Sequence, residues 1–393
     1  MKKCVRLWLI VLAIGAIVSA FIVSRLDRMI TVSEVQITKD YTIEETLYKD
    51  AITCTEDGTL LGSFKNSYTE ENYIYLSGLE KNIHNEKSVY IPIELKHLGN
   101  ESYAQRGSWY YLLLKNEKDK IVPSSDYEVE YFFVKLFGET GKMEIIDKIY
   151  TTGIPWIIDT GTDTLIVSYI VEDGTYAYMK KYSIKNDQML GDPKETEACY
   201  RKTVALNEKQ FVCRYNKYID FKASDVKYKS YLGWADTDGN IKDSYYLGKY
   251  YIENITVDGI KLYVLLTHRN TTKSKLLTAD LNFENEKFEN IRIYRLPELL
   301  DAKFTTYDEM TFDAKKQRLN FMVRGPFAWD WSSSFLGAAY IDLKDGKIVP
   351  EVQAEIITNL NRSFYPECTY IGDNTTFYFS NLKGELLYMK ASG

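Results

Sequence analysis

The sequence predicts an all-β fold, a β-propeller of about seven blades with six or eight as neighbouring solutions, preceded by one N-terminal transmembrane or signal helix. Three observations predict it. Long helical periodicity is almost absent beyond residue 30, and the apolar runs are short, β-branched or aromatic, and bounded by turn residues. Aromatic residues are abundant (33 Tyr, 17 Phe, 6 Trp), which favours pleated, half-buried strands. A weak motif also recurs at propeller-blade spacing.

The N-terminal element comes first. Lys2, Lys3 and Arg6 precede a run from Leu7 to Val23 that carries no charge, and Arg25, Asp27 and Arg28 follow it. The heavier positive charge before the run orients that end toward the cytoplasm and the rest of the chain outside. The run is just long enough to cross the hydrocarbon core. Val18-Ser19-Ala20 offers a signal-peptidase site, but the apolar run continues through Phe21, Ile22 and Val23. A retained anchor is favoured, with secretion after cleavage at Ala20 as the alternative. Cys4 precedes the run, the wrong order for a lipoprotein. Residues 1–29 are therefore read as a basic stub plus anchor, and 30–393 as one extracytoplasmic domain. No Pro/Gly/Ser-rich linker divides it, which weakens a split into two sandwiches near residue 150.

The recurring motif is an apolar residue, a turn centred on Asp or Asn, then an apolar strand. Its turn residues are Asp57, Asp159, Asn207, Asp258, Asp313 and Asp373. The wide first interval leaves room for one further unit, over residues 88–137, without the signature. A second apolar pair recurs at Leu276, Ala338 and Leu386, each heading a short strand. The last unit ends after two strands, so a strand around Thr31 to Thr38 is expected to complete it and close the ring. Short helices are expected at Pro297 to Lys303 and Glu351 to Leu360.

The net charge is −6, with no basic cluster interleaved with aromatics, which argues against a nucleic-acid partner. There is no nucleophile elbow, phosphate loop, dinucleotide fingerprint or Cys-x-x-Cys, and no cofactor is expected. His84, His97 and His268 are scattered without metal-ligand spacing. Asp236, Asp238, Asn240 and Asp243 form an oxygen-rich stretch resembling part of a calcium loop. Gly239 stands at position four rather than six, so an Asp-Gly hairpin turn is the preferred reading. Cys54, Cys199, Cys213 and Cys368 could pair outside the cell, although Cys199 and Cys213 are in poor register for a direct bridge.

One stretch stands apart. Arg324, Phe327, Trp329, Asp330 and Trp331 place aromatic faces beside charged groups in an expected loop, a composition suited to a sugar or peptide ligand. The competing reading seats Trp329 or Trp331 in the core between blades. Trp109, Trp156 and Trp234 read as strand-borne core residues. The functional expectation is a membrane-tethered binding or scaffold module for a protein, peptide or glycan, non-enzymatic by preference. The alternative is a glycan-acting hydrolase or lyase, whose paired carboxylates would come from different blades.

Overall fold

A computed structural model describes residues 28–38, 46–47, 52–54, 59–65, 72–78, 87–91, 95–97, 103–116, 129–171, 176–220, 227–269, 271, 273–300, 302, 305–326, 333–361, 370–371, 376–380 and 385–390. The run from Leu7 to Val23 lies outside them. Among the described residues there is no helix, and none long and apolar enough to cross a membrane.

The described strands assemble into seven sheets. Sheet one joins Ile52–Cys54, Thr59–Lys65, Asn72–Gly78 and Lys87–Ile91. In sheet two, Leu95–His97 and Tyr103–Arg106 both pair with Trp109–Asn116, followed by Val129–Phe137 and Lys142–Thr151. Sheet three is Trp156–Asp159, Thr164–Val171, Tyr176–Ser183 and Gln188–Thr196. Sheet four is Tyr200–Asn207, Gln210–Asp220, Lys227–Asp236 and Ile241–Tyr246. Sheet five is Tyr250–Asp258, Lys261–His268, Ser274–Asn282 and Lys287–Arg295. Sheet six is Thr306–Asp313, Arg318–Pro326, Ser333–Lys344 and Glu351–Asn361. Sheet seven is Tyr370–Ile371, Thr376–Ser380 and Glu385–Lys390, completed by Thr46–Leu47.

The core explains why these sheets stack as they do. Both faces of a strand are apolar, and each face packs on a different neighbour. Ile157, Leu165 and Val167 of sheet three meet Tyr111 and Phe133 of sheet two. Trp156, Ile158 and Ile166, on the opposite face, meet Tyr200, Phe211 and Tyr215 of sheet four. Trp234 of sheet four packs with Leu262, Val264 and Phe288 of sheet five. Tyr263 and Leu276 of sheet five pack with Phe321 and Ile341 of sheet six. The first strands of sheets three to six lie side by side. Sheets stacked face to face, with their first strands adjoining, make a propeller-like fold.

The turn motif marks the hairpins between first and second strands at Asp159, Asn207, Asp258 and Asp313. The unit without the signature is sheet two, whose corresponding turn uses Gly107 at φ 56°, a conformation open to glycine without a Cβ penalty.

Three expectations need correction. Thr31–Thr38 does not complete the last sheet. It adds in parallel to Glu351–Asn361 at the edge of sheet six, while Thr46–Leu47 pairs antiparallel with Glu385–Lys390. The core anchors it there: Ile30, just before the strand, is buried among Val352, Ala354 and Ile356, and Val35 packs against the same cluster. The expected helix over Glu351 to Leu360 is the strand Glu351–Asn361. Its described side chains alternate between exposed and buried with period two, and the pattern overrides the helix-compatible Ala, Glu and Gln. Nor is there a helix at Pro297 to Leu300, where Leu300 takes φ 53°.

Candidate functional site

Three adjoining first strands carry bulges at matching heights. The pairing shifts between Arg201 and Val204 in Tyr200–Asn207, between Ile252 and Asn254 in Tyr250–Asp258, and between Asp308 and Met310 in Thr306–Asp313. A bulge inserts residues that the partner strand does not match, and re-aims their side chains. Lys202 and Glu253 are such residues, and Lys202 sits at φ 46°. Asp308 borders the third bulge.

These positions gather charge. The Lys202 ammonium lies 5.9 Å from the ring centre of Trp156, whose indole N–H donates to Thr203 Oγ1 at 3.2 Å. The Arg214 guanidinium, from the second strand of sheet four, lies 5.6 Å from the centre of the Tyr251 ring. Arg324 Nε donates to Asp308 Oδ2 at 2.7 Å, joining the second strand of sheet six to its first. Burial raises the Glu253 carboxyl above the usual carboxylate range; the Asp308 charge adds to this, while Lys202, Arg214 and Arg324 oppose it. Burial likewise raises the Tyr251 hydroxyl, with Glu253 and Asp308 adding and the two arginines opposing. Charges from sheets four and six thus converge on Glu253 and Tyr251 of sheet five. Glu253 is half-buried, reached by solvent yet surrounded by protein. The cluster can hold an anion on its cations, and it holds a carboxyl whose proton is retained more readily than usual.

Of the loop residues singled out by sequence, Arg324 belongs to this cluster. Phe327, Trp329, Asp330 and Trp331 lie outside the described residues. Phe335 is buried between sheets five and six. Lys202, Arg214, Tyr251, Glu253 and Asp308 are not found by motif reading. A signal exists nonetheless: Lys202, Glu253 and Asp308 each stand five residues before the turn residues Asn207, Asp258 and Asp313.

The oxygen-rich stretch forms the hairpin between Lys227–Asp236 and Ile241–Tyr246. Asp236 Oδ1 accepts from the backbone N–H groups of Asp238 and Asn240, both at 2.9 Å, and Oδ2 lies 3.0 Å from Lys242 Nζ. Asp238 pairs with Lys181 at 2.7 Å, and Asp243 Oδ2 accepts from the Phe288 N–H at 2.7 Å. These four residues serve the turn and its neighbours. Among the described residues no group of three His, Cys, Asp or Glu could hold a metal. His268 packs edge-on against Tyr250, His97 lies in a strand of sheet two, and His84 is outside the described residues. Cys199 and Cys213 are free thiols; Cys213 is fully buried, which pushes its thiol well up, and it faces the Lys202–Thr203 bulge. Cys54 lies in a strand of sheet one, and Cys368 is outside the described residues.

No family model matches the chain, and no curated protein matches it in sequence. Solved structures resemble it in fold. An ulvan lyase, described as a polysaccharide lyase of a new family, is 9% identical with a TM-score of 0.55, over 91% of this chain and 96% of its own. The Dos1 propeller is 8% identical with a TM-score of 0.47, over 90% and 95%. The WD40 domain of SCAP from fission yeast is 10% identical with a TM-score of 0.43, over 89% and 98%. At these identities the likeness is one of fold.

Proposed function

We propose that this chain is a membrane-tethered, extracytoplasmic propeller of seven blades that binds an acidic glycan where the first strands of sheets four to six begin. The observation that carries the reading is the convergence of Lys202, Arg214, Tyr251, Glu253, Asp308 and Arg324. Asp308 is occupied by Arg324, and Lys202 and Arg214 outnumber the one Glu253 carboxyl, so the balance of charge offered to a ligand is positive. The Tyr251 ring supplies an apolar face beside those cations. Phe327, Trp329 and Trp331 follow closely on Arg324 in the chain and extend the aromatic composition. Tethering rests on the uncharged run from Leu7 to Val23 with its basic flank.

The test is binding of the full chain in detergent to immobilised neutral glycans, uronate-containing glycans and acidic peptides. Acidic glycans bind, and Arg214→Ala weakens them. Equal binding of neutral and acidic glycans sinks the reading; preference for acidic peptides reassigns the ligand.

A specific observation favours a second reading, a glycan-cleaving enzyme. Glu253, with its raised carboxyl, stands near Asp308, which is ion-paired to Arg324, so two carboxyls of unlike surroundings share one site. One structure of similar fold is described as a polysaccharide lyase. New reducing or unsaturated ends, lost in Glu253→Gln while binding persists, would establish it.

A further inference from the structure

The N-terminal strands take an unusual route along the outside of the ring. Arg28–Met29 adds in parallel to Lys287–Arg295 at the edge of sheet five, and Thr31–Thr38 adds to the edge of sheet six. Ile30, between them, is 1% exposed and plugs the core shared by the two sheets. The Ile30 N–H donates to the Arg295 carbonyl at 3.2 Å, and the Thr31 N–H to the Pro350 carbonyl at 3.0 Å. The segment is thus fastened to both sheets across their outer groove.

That groove has an unusual surface. Met29 is 63% exposed, Ile37 51% and Val32 39%, three apolar side chains on the fastened segment itself. A cavity of about 260 Å³ opens between sheet five and the turn at Gly346, Lys347 and Ile348 of sheet six, and Tyr294, the residue opposite Arg28, forms part of its wall. Its charged lining is Lys261, Asp280, Arg292 and Lys347. Lys261 and Asn290 donate to the two oxygens of Asp280, at 2.6 and 2.7 Å. Burial would raise the Asp280 carboxyl, but these bonds and the nearby cations outweigh it and hold it low. One anion is therefore answered by Lys261, and Arg292 and Lys347 leave the cavity positive.

We propose that this groove binds the phosphate of an anionic phospholipid headgroup, docking the rim of sheets five and six on the membrane. The proposal rests on the reading that Leu7 to Val23 is the tether. From Val23 to Arg28 the chain spans at most about 18 Å, so the groove is held at the bilayer surface rather than free to roam. Exposed apolar side chains on the fastened segment and a positive cavity near its start suit that interface: the former enter the headgroup boundary, and the latter meets the lipid phosphate. Edge docking leaves the start of the first strands open to a ligand from the side.

The test uses the full chain in nanodiscs of phosphatidylcholine, with or without phosphatidylglycerol. A photo-cross-linking residue replaces Met29, Ile37 or, as control, the exposed Tyr246 of sheet four, and lipid adducts are read by mass. Adducts form at Met29 and Ile37, not at Tyr246, and favour the anionic lipid. Arg292→Gln and Lys347→Gln each reduce that preference roughly fivefold. Equal adducts at Tyr246, no lipid preference, or an unchanged preference in the double variant overturns the proposal. Thermal stabilisation by inorganic phosphate in phosphatidylcholine discs, equal to that given by phosphatidylglycerol, assigns the cavity to free phosphate and overturns it as well. The intact mass separates the two readings. A chain beginning after Ala20 ends the tether, whereas adducts at Met29 from added vesicles would still support docking.

Discussion

The first strands of sheets three and five do opposite things with the same position in their sheets. Trp156–Asp159 pairs with its neighbour over four residues without a bulge, and three of its side chains are buried. Tyr250–Asp258 is bulged at Glu253, and only Ile252 is buried. The straight strand spends both faces on neighbouring cores. The bulged strand gives up regular pairing and turns a carboxyl toward cations from sheets four and six. Regular pairing makes the frame, and its interruption makes the site. Stability and binding should therefore separate cleanly between the two regions.

The largest effect is expected in the frame. Phe133 is 0% exposed and meets Tyr182 edge-on at 5.6 Å between ring centres. Phe133→Ala should cost about 3–5 kcal/mol of stability, through lost transfer energy and the cavity left behind. Denaturant unfolding in detergent measures this, and glycan affinity of the remaining folded chain should not change. A parallel loss of affinity would show that frame and site are one unit. Gly337 belongs to the same class: a Cβ there would lie 2.1 Å from the Glu355 carbonyl oxygen, so Gly337→Ala must spread two strands.

Next comes the site. Arg214→Ala should weaken acidic-glycan binding by roughly thirtyfold, about 2 kcal/mol for a central arginine contact. Its unfolding midpoint should stay close to that of the parent chain. Isothermal titration alongside the unfolding curve checks both. Unchanged affinity would leave the cation as a prop for the Tyr251 ring.

The division between frame and site also governs what the sequence discloses. Sheets three to six are legible because their cores require apolar residues on both faces and their hairpins require Asp or Asn, so each unit repeats an audible pattern. Sheet two loses it because Gly107 makes the turn by backbone freedom instead. The edge strands mislead for a related reason. Both Thr31–Thr38 and Thr46–Leu47 are free to supply an outer strand, and composition does not say which edge each will find. The site is harder still. Lys202, Glu253 and Asp308 look like ordinary charged residues on separate strands until the turns are aligned, and Arg214 has no counterpart in the motif. Only Arg324 is exposed by its company of aromatics. Repetition records what the blades share, whereas function rests on the positions where they differ.

A smaller effect is expected where the frame itself uses charge. Arg106, in the strand Tyr103–Arg106 of sheet two, makes a bidentate ion pair with Asp159 of sheet three and also donates to the Thr162 carbonyl at 3.1 Å. Both side chains are more than a quarter exposed, so solvent screens the pair. Arg106→Gln should cost about 1 kcal/mol, visible as a lower denaturation midpoint at low salt that converges with the parent at high salt. It should not alter glycan affinity, because sheets two and three stand on the frame side of the comparison.

The smallest effect has the most informative sign. Glu253 has a folded-state carboxyl raised above its unfolded value, chiefly by burial. Between those two values the folded chain holds more protons than the unfolded chain. Stability therefore falls as pH rises through that window, and above it the charged carboxylate is a standing cost. Glu253→Gln removes the charge while keeping the shape. It should leave the melting temperature unchanged below the window and raise it once the pH exceeds the unfolded value, most at the top of the window. Asp236 gives the opposite control. Burial would raise its carboxyl, but hydrogen bonds from Asn240 and Lys242 outweigh that and lower it, so its contribution is present at neutral pH and lost on acidification. Asp236→Asn should destabilise at neutral pH and converge with the parent in acid. If both variants shifted in the same direction at neutral pH, Glu253 would be another frame carboxylate. If they part as expected, Glu253 is a group the fold tolerates at a loss, as befits a residue kept for what it binds.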